Sequence, residues 1–254
     1  METSEMIKRK PPTQVPESSE PMDYGFLKNT ELTDFFKQNL HKITSTKYLE
    51  DIIKFKVGFD LSRKVVKFSP ELKTGGLCAN QVPNEIAGFL FHILTNHYRI
   101  DRYMEVGVNM GGTFYLIDSF LRAINPNYAG AVAVDKKNVL LDSDNYFKKY
   151  PTTKILIGDS KRMIIPEKFD LIFIDGDHTY LGAKADYLNF KSCSDFMAFH
   201  DVEILHRSTN VKKLWEEIKK EYPNNTMEFF NKSSEFQTTL GIGVLIKTKP
   251  KVMA

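Results

Sequence analysis

Between residues 102 and 201 the chain alternates between short apolar runs and longer stretches whose apolar residues recur every three or four positions. The runs are RYMEVG (102–107), AVAVD (131–135), KILIG (154–158), FDLIFID (169–175) and DFMAFHD (195–201). Most are continuously apolar rather than alternating, which is the pattern of strands covered on both faces. Helical spacing falls between and after them, over 112–124, about 138–149, 180–191 and 209–221. Strand and helix in alternation, joined by short polar links, predict an α/β fold with a doubly wound, mostly parallel sheet. Beyond 221 the pattern changes. TMEFFNK and TTLGIGVLIKT both have strand character, predicting an antiparallel pair at the sheet edge and a seven-stranded sheet in all.

Upstream, Leu32, Phe35, Phe36 and Leu40, then Tyr48, Ile52 and Ile53, have the spacing of two short amphipathic helices. They are expected to pack on the main domain or on a second copy of the chain, leaving a homo-oligomer open. The stretch KTGGLCANQVPNE (73–85) has loop chemistry, and Pro83 suits the first turn of a helix running to about His97. Residues 1–22 mix Pro, Ser, Glu and Lys with few large apolar groups, which predicts a flexible tail whose KRK at 8–10 is simply solvated. The expected organisation is therefore a tail (1–22), an N-terminal helical extension or lid (23–79) and the α/β domain (80–254).

Composition adds limits rather than a function. The 254 residues are 42% hydrophobic and 26% charged, enough for one sizeable core. Thirty-five basic side chains against 32 acidic ones leave a formal charge of +3, which announces neither nucleic acid nor a membrane surface as a partner. Cys78 and Cys193 are far apart and form no CxxC pair, so buried thiols are expected rather than a disulfide framework or a thiolate metal site. No apolar run reaches the roughly 20 residues that cross a bilayer, and the amino terminus lacks a secretory apolar stretch, so a cytoplasmic location is the default expectation. Trp215 lies in an amphipathic helix with Thr209 and Asn210 as cap candidates, and reads as packing. Tyr115 and Tyr180 follow the loops described next and are as well suited to packing as to flanking a ligand.

In an open parallel sheet, ligands bind outside the carboxyl ends of the strands near the point where strand order reverses. Here those ends are polar and glycine-rich. The first strand runs into Glu105-Val-Gly107-Val-Asn109-Met-Gly111-Gly112-Thr113, whose glycines let backbone approach a ligand and whose following helix offers unpaired N–H groups. A dinucleotide site favours GxGxxG, whereas the spacing here is GxxxGG behind a carboxylate that would repel phosphate and favour a cation. Asp135 ends the second strand, where a carboxylate can accept from both ribose hydroxyls of an adenosine, and Asp159-Ser160 end the third.

These three features together resemble the pattern of class I S-adenosylmethionine-dependent methyltransferases, over roughly residues 80–247. The resemblance implies the Rossmann-like methyltransferase fold with S-adenosylmethionine as cofactor. It places Glu105, Gly107, Asn109, Gly111, Gly112 and Thr113 along the methionine and ribose, Asp135 on the ribose, Asp159 and Ser160 on the adenine side, and Asp175 beside the cofactor. The fourth and fifth strands end in IDGDHTY and HD, bringing Asp175, Asp177, His178, His200 and Asp201 to neighbouring strand ends. Oxygen donors with imidazole suit a hard divalent ion such as Mg²⁺. The pair of motifs is similar to the metal-dependent branch that includes macrolide-sugar O-methyltransferases and proteins known as cephalosporin hydroxylases.

That second resemblance implies metal ligation by Asp175 and Asp201, with His200 in the place of a third, acidic ligand, and a general-base role for His178. The imidazole at 200 departs from the branch and lowers the negative charge of the set. The expected activity is O-methyl transfer to a hydroxyl of a small molecule, a sugar first and a phenol second. Two other classes fit the same residues: an oxygenase holding iron with His178, His200 and one carboxylate, and a non-catalytic nucleotide- or nucleic-acid-binding protein.

Overall fold

The computed structural model describes residues 25–61, 66–204 and 210–253. The predicted tail, the KRK at 8–10 and Thr209 lie outside these. Seven strands form one sheet: β1 (Arg102–Val106), β2 (Gly130–Asp135), β3 (Lys154–Ile157), β4 (Leu171–Ile174), β5 (Phe196–His200), β6 (Thr226–Phe229) and β7 (Ile242–Ile246). Their order is β3-β2-β1-β4-β5-β7-β6. β1 to β5 pair in parallel, while β7 runs antiparallel to both β5 and β6. This is the Rossmann-like methyltransferase fold, and its strand order reverses between β1 and β4. Val106 pairs with Val134 on one side and with Ile174 on the other, so the crevice at the reversal opens directly beyond Val106.

Alternation along the strands divides the core into two layers. Tyr103, Ala131, Ala133, Leu171, Phe173 and Ala198 face one apolar layer, and Met104, Val106, Val132, Val134, Ile172, Ile174 and Phe199 face the other. The first layer is covered by α3 (Pro83–Thr95) and α4 (Gly112–Ile124), and the second by α6 (Tyr180–Phe190) and α7 (Val211–Glu221). The two predicted N-terminal helices form as α1 (Leu32–Asn39) and α2 (Thr46–Ile52), the latter continuing in a π-type turn Ile53–Val57. They pack on the α/β unit of the same chain, α1 against α4 and α2 against α3. Phe36 meets Phe120 edge-to-face at 5.4 Å between ring centroids. Trp215 is buried as expected, and its ring lies where a side chain on Gly243 would have to go.

Two expectations change. Helix α5 (Ser143–Lys149) starts at Ser143, not 138, because the chain before it is pinned elsewhere. Asn29 donates to the carbonyls of Leu141 and Asp142 at 3.0 and 3.2 Å, the Tyr115 hydroxyl donates to Leu141 at 2.7 Å, and Asp142 is left-handed at φ 50°. The thiols of Cys78 and Cys193 are free but only half-buried. Among the described residues no helix is long and apolar enough to cross a membrane.

Beneath the sheet, Asp118 of α4 is fully buried and gathers donors from three elements. The hydroxyls of Tyr128 and Tyr146 donate to it at 2.5 Å, and Arg122 Nε donates at 3.2 Å. A buried carboxylate is tolerated only when its lone pairs are filled, and removing it strands those donors. Asp118→Ala is expected to cost about 3–5 kcal/mol of folding stability, read from the urea midpoint at unchanged m-value.

Candidate active site

The chain leaving β1 turns sharply because it must pass under the chain leaving β4. Gly107 has φ 87°, and a Cβ there would lie 2.3 Å from both the Asp175 carbonyl oxygen and the Gly176 Cα. The amide of Gly107 donates to Val134 and that of Asp175 to Val106, both at 2.8 Å, so the turn is stitched to both neighbouring strands. Further on, Asn109 adopts φ 46° and donates its amide to Asp135 Oδ2 at 3.1 Å, while Lys137 donates to Oδ1 at 3.2 Å. The carboxylate ending β2 therefore holds the glycine turn in place. Gly112 opens α4, and backbone of Leu77, Cys78 and Ala79 lies within 2.5 Å of where its Cβ would be. That segment crosses the helix N-terminus, where a dinucleotide would seat its pyrophosphate.

A cavity of about 650 Å³ occupies the crevice at the strand reversal. It is lined by Glu105, Gly107, Asn109, Gly111, Gly112, Thr113, Asp135, Asp175, His178, His200 and Asp201. Glu105 is 1% exposed and accepts from the Tyr103 hydroxyl; burial pushes its carboxyl well above the usual carboxylate range. Two predicted residues stand apart. The Asp159 carboxylate caps the short turn that follows it, accepting from the Lys161 amide at 3.3 Å, and lines neither this cavity nor its neighbour. Ser160 donates to the buried Asp186 at 2.6 Å and borders a separate recess of about 190 Å³ with Gly158, Gly176 and Asp177. Lys161 reaches Asp177 at 2.6 Å. Burial would raise the Asp177 carboxyl, but bonds from Lys161 and Thr179 outweigh it and hold it at about 2. Tyr115 and Tyr180 are used in packing and surface bonds, to Leu141 and Glu217 respectively.

At the other end of the cavity four side chains meet. His178 Nδ1 is 2.7 Å from Asp201 Oδ2, and His200 Nδ1 is 2.9 Å from Asp175 Oδ1 and 3.5 Å from Asp201 Oδ1. Gln81, fully buried, donates to Asp175 Oδ2 at 2.8 Å. The bond to Asp201 raises the pKa of His178. Burial works against charge on His200, but Asp175 and Asp201 outweigh it and push its pKa up to about 10. Asp201 is shifted the other way: burial raises it, and the two imidazoles bring it below the usual range.

The expected metal set of Asp175, His200 and Asp201 is drawn into one cluster, in which the side chains bond one another. Among the described residues no group of three or more His, Cys, Asp or Glu side chains is disposed to hold a metal ion. His200 turns Nδ1 to Asp175 and Asp201 and leaves Nε2 buried without a partner. The iron triad of an oxygenase is likewise not among the groupings of described residues disposed to hold a metal.

Several lining residues escaped the sequence. Asp60, Leu61, Val66, Asn80, Ile204 and Leu240 complete the cavity wall, and Gln81 and Glu85 act behind it. A polar pair just ahead of Pro83 was the only visible sign of Asn80 and Gln81. Nothing in the pattern marked Leu61 or Leu240.

No family model matches the chain, and no curated protein matches it in sequence. Solved structures do match in shape. An O-methyltransferase from Bacillus cereus, solved with S-adenosylhomocysteine, is 16% identical with a TM-score of 0.46, over 63% of this chain and 79% of its own. The O-methyltransferase TomG from Streptomyces achromogenes, of tomaymycin synthesis and solved with S-adenosylmethionine, is 13% identical with a TM-score of 0.45, over 67% and 82%. A protein described as an RNA methyltransferase from Pyrococcus horikoshii is 12% identical with a TM-score of 0.48, over 80% and 97%. At these identities the likeness is one of fold.

The crossing at Gly107 gives a sharp test. Gly107→Ala forces a methyl group into backbone at a left-handed position and is expected to cost on the order of 3 kcal/mol. Gly176→Ala meets Asp186 Oδ2, Val106 Cγ1 and the Val106 carbonyl oxygen at 3.4, 3.5 and 3.6 Å, ordinary contacts, and should stay within about 1 kcal/mol of the parent in thermal unfolding.

Proposed function

We propose that the protein is an S-adenosylmethionine-dependent methyltransferase acting on a hydroxyl of a small molecule. One observation carries the reading: the glycine turn, Asp135 and His178 line a single cavity, so donor-binding and proton-accepting groups share one space. Its volume of about 650 Å³ lies within the range of ordinary small-molecule sites.

The residues present fit the cofactor. Gly107, Gly111 and Gly112 line the cavity, and the protein packs so closely against each that only glycine fits the turn. Asp135 has carboxylate lone pairs left for ribose hydroxyls after its two amide bonds. Asp135, met only by neutral amides, and the carboxyl of Glu105 border the glycine turn, which favours a cationic ligand over a dinucleotide. The covered N-terminus of α4 works in the same direction. When bound, S-adenosylmethionine supplies an electrophilic methyl group on a sulfonium. The chain's own work is to hold the acceptor hydroxyl, exclude water and receive its proton. For that, His178 is the residue in reach: its side chain is 44% exposed and borders the cavity. Nδ1–H donates to Asp201, so Nε2 carries the lone pair that accepts a proton.

Calorimetric titration with S-adenosylhomocysteine and S-adenosylmethionine, with NAD as control, tests this reading. Micromolar binding of both adenosyl ligands and none of NAD is expected, with Asp135→Ala weakening them about 10- to 100-fold. Neither heat nor thermal stabilisation with the adenosyl ligands would refute it.

A further inference from the structure

The end of the cavity around His178 has a wall as well as a base. Leu61, Val66, Ile204 and Leu240 line it, and they belong to a small apolar cluster separate from the two layers of the sheet. The cluster is backed by three aromatic rings, Phe59, Phe68 and Phe236, with centroids 5.5, 5.7 and 6.0 Å apart. It is also anchored. Glu85 of α3, fully buried, accepts from the amides of Asn231, Leu240 and Gly241 at 3.0, 3.1 and 2.9 Å and from the Thr239 hydroxyl. Glu203 and Val202 then donate to Leu240 and Gly241 at 2.9 and 3.3 Å, tying the wall to the chain that carries Asp201. The wall is thus a fixed apolar surface beside the His178–Asp201 pair.

The carboxylates at this end are already engaged. Asp175 accepts from His200 through one oxygen and from Gln81 through the other. Asp201 accepts from His178 through Oδ2 and turns Oδ1 to His200 at 3.5 Å. No oxygen of the pair is left without a nitrogen facing it. The oxygens that a hard cation would take are thus already bonded to nitrogen, and the second hydroxyl of a vicinal diol would have to be desolvated against leucine and valine.

Resting on the proposed methyl transfer, we infer that the acceptor is a phenol: one acidic hydroxyl on a flat apolar body, deprotonated without a metal by His178, with Asp201 as the residue that positions it. A phenol, with a pKa of about 10, gives its proton to an imidazole far more readily than an aliphatic alcohol does. In the step, the phenol proton passes to His178 Nε2 and the phenol oxygen forms the new O–CH3 bond. The electron pair of the broken S–CH3 bond stays on sulfur, leaving S-adenosylhomocysteine and, once His178 releases its proton to water, the parent enzyme.

The test begins with S-adenosylhomocysteine titration of the full chain, so that failure of the cofactor reading is seen by itself. With binding established, methyl transfer from labelled donor is measured to 4-ethylphenol, 4-ethylcatechol and glucose, each with Mg²⁺ and with EDTA. Methylation of 4-ethylphenol that EDTA leaves within about twofold, with no gain on the catechol and none on glucose, is the expected result. Asp201→Asn should lower kcat about 100-fold or more with the phenol KM and S-adenosylhomocysteine affinity retained. Leu240→Asn should instead raise the phenol KM about tenfold with kcat retained. Titration of the parent protein with Mg²⁺ and Mn²⁺ should show no binding at micromolar concentrations, a readout independent of any variant's folding. Tight metal binding, a tenfold loss in EDTA restored by Mg²⁺, preference for catechol or glucose, or no phenol turnover in protein that binds S-adenosylhomocysteine would each overturn the inference.

Discussion

The carbonyl of Asp175 occupies the space that any side chain on Gly107 would need, and the rest of the site follows from that contact. It brings the exits of β1 and β4 together at the strand reversal, where an open α/β sheet leaves a crevice. The glycine turn can then reach sideways to Asp135 on β2. The residues after Asp175 are directed over the cavity, which sets His178 opposite Asp201 at the end of β5. A bulkier residue at 107 would separate the two strand exits and with them the donor and acceptor ends of the cavity.

Bringing strand ends together also concentrates charge. Glu105, Asp135, Asp175 and Asp201 all border one space, and unpaired carboxylates in a half-buried crevice repel one another. Each is met differently: Glu105 by the Tyr103 hydroxyl and burial, Asp135 by two backbone amides, Asp175 by His200 and Gln81, Asp201 by His178. Glu105 and Asp135 are met by neutral donors, so compensation is uneven. The imidazoles face Asp175 and Asp201, whereas Asp135, beside the glycine turn, is met only by neutral amides. On the proposed reading, the cationic donor lies by the glycine turn and proton transfer takes place by the imidazoles.

The periodic parts of the chain were legible in the sequence because burial on both faces leaves a continuous apolar run that nothing else produces at that length. The five parallel strands, the terminal hairpin, and helices α3, α4, α6 and α7 all appear close to where the pattern put them. Helix α5 was overextended because its apolar spacing continues into a segment that Asn29 and Tyr115 hold outside the helix, contacts spanning more than a hundred residues in one case. The site was legible where residues sit at strand ends and illegible where they arrive from insertions. Leu61, Val66 and Leu240 look like ordinary apolar residues, and only their assembly over Glu85 gives them a common face. Asp159 shows the local use that a short side chain after a strand can have, bonding its own backbone two residues on, here to Lys161.

The imidazole at 200 is the departure from the metal-dependent pattern with the largest physical consequence. A third carboxylate beside Asp175 and Asp201 would leave three negative charges that need an outside cation. An imidazole in that place brings its own proton, and with it a hydrogen bond to Asp175 and an approach to Asp201. The same exchange frees Asp201 to hold His178 through Nδ1, which an oxygen committed to a metal does less well. One substitution of residue type therefore shifts the work of charge compensation from an ion to the chain. The burial of His200, 4% exposed with Nε2 unpartnered, fits a residue whose function is on its Nδ1 side. On the proposed methyl transfer, activation of the acceptor falls to a histidine and its carboxylate, which would limit the acceptor to a hydroxyl acidic enough for an imidazole to deprotonate.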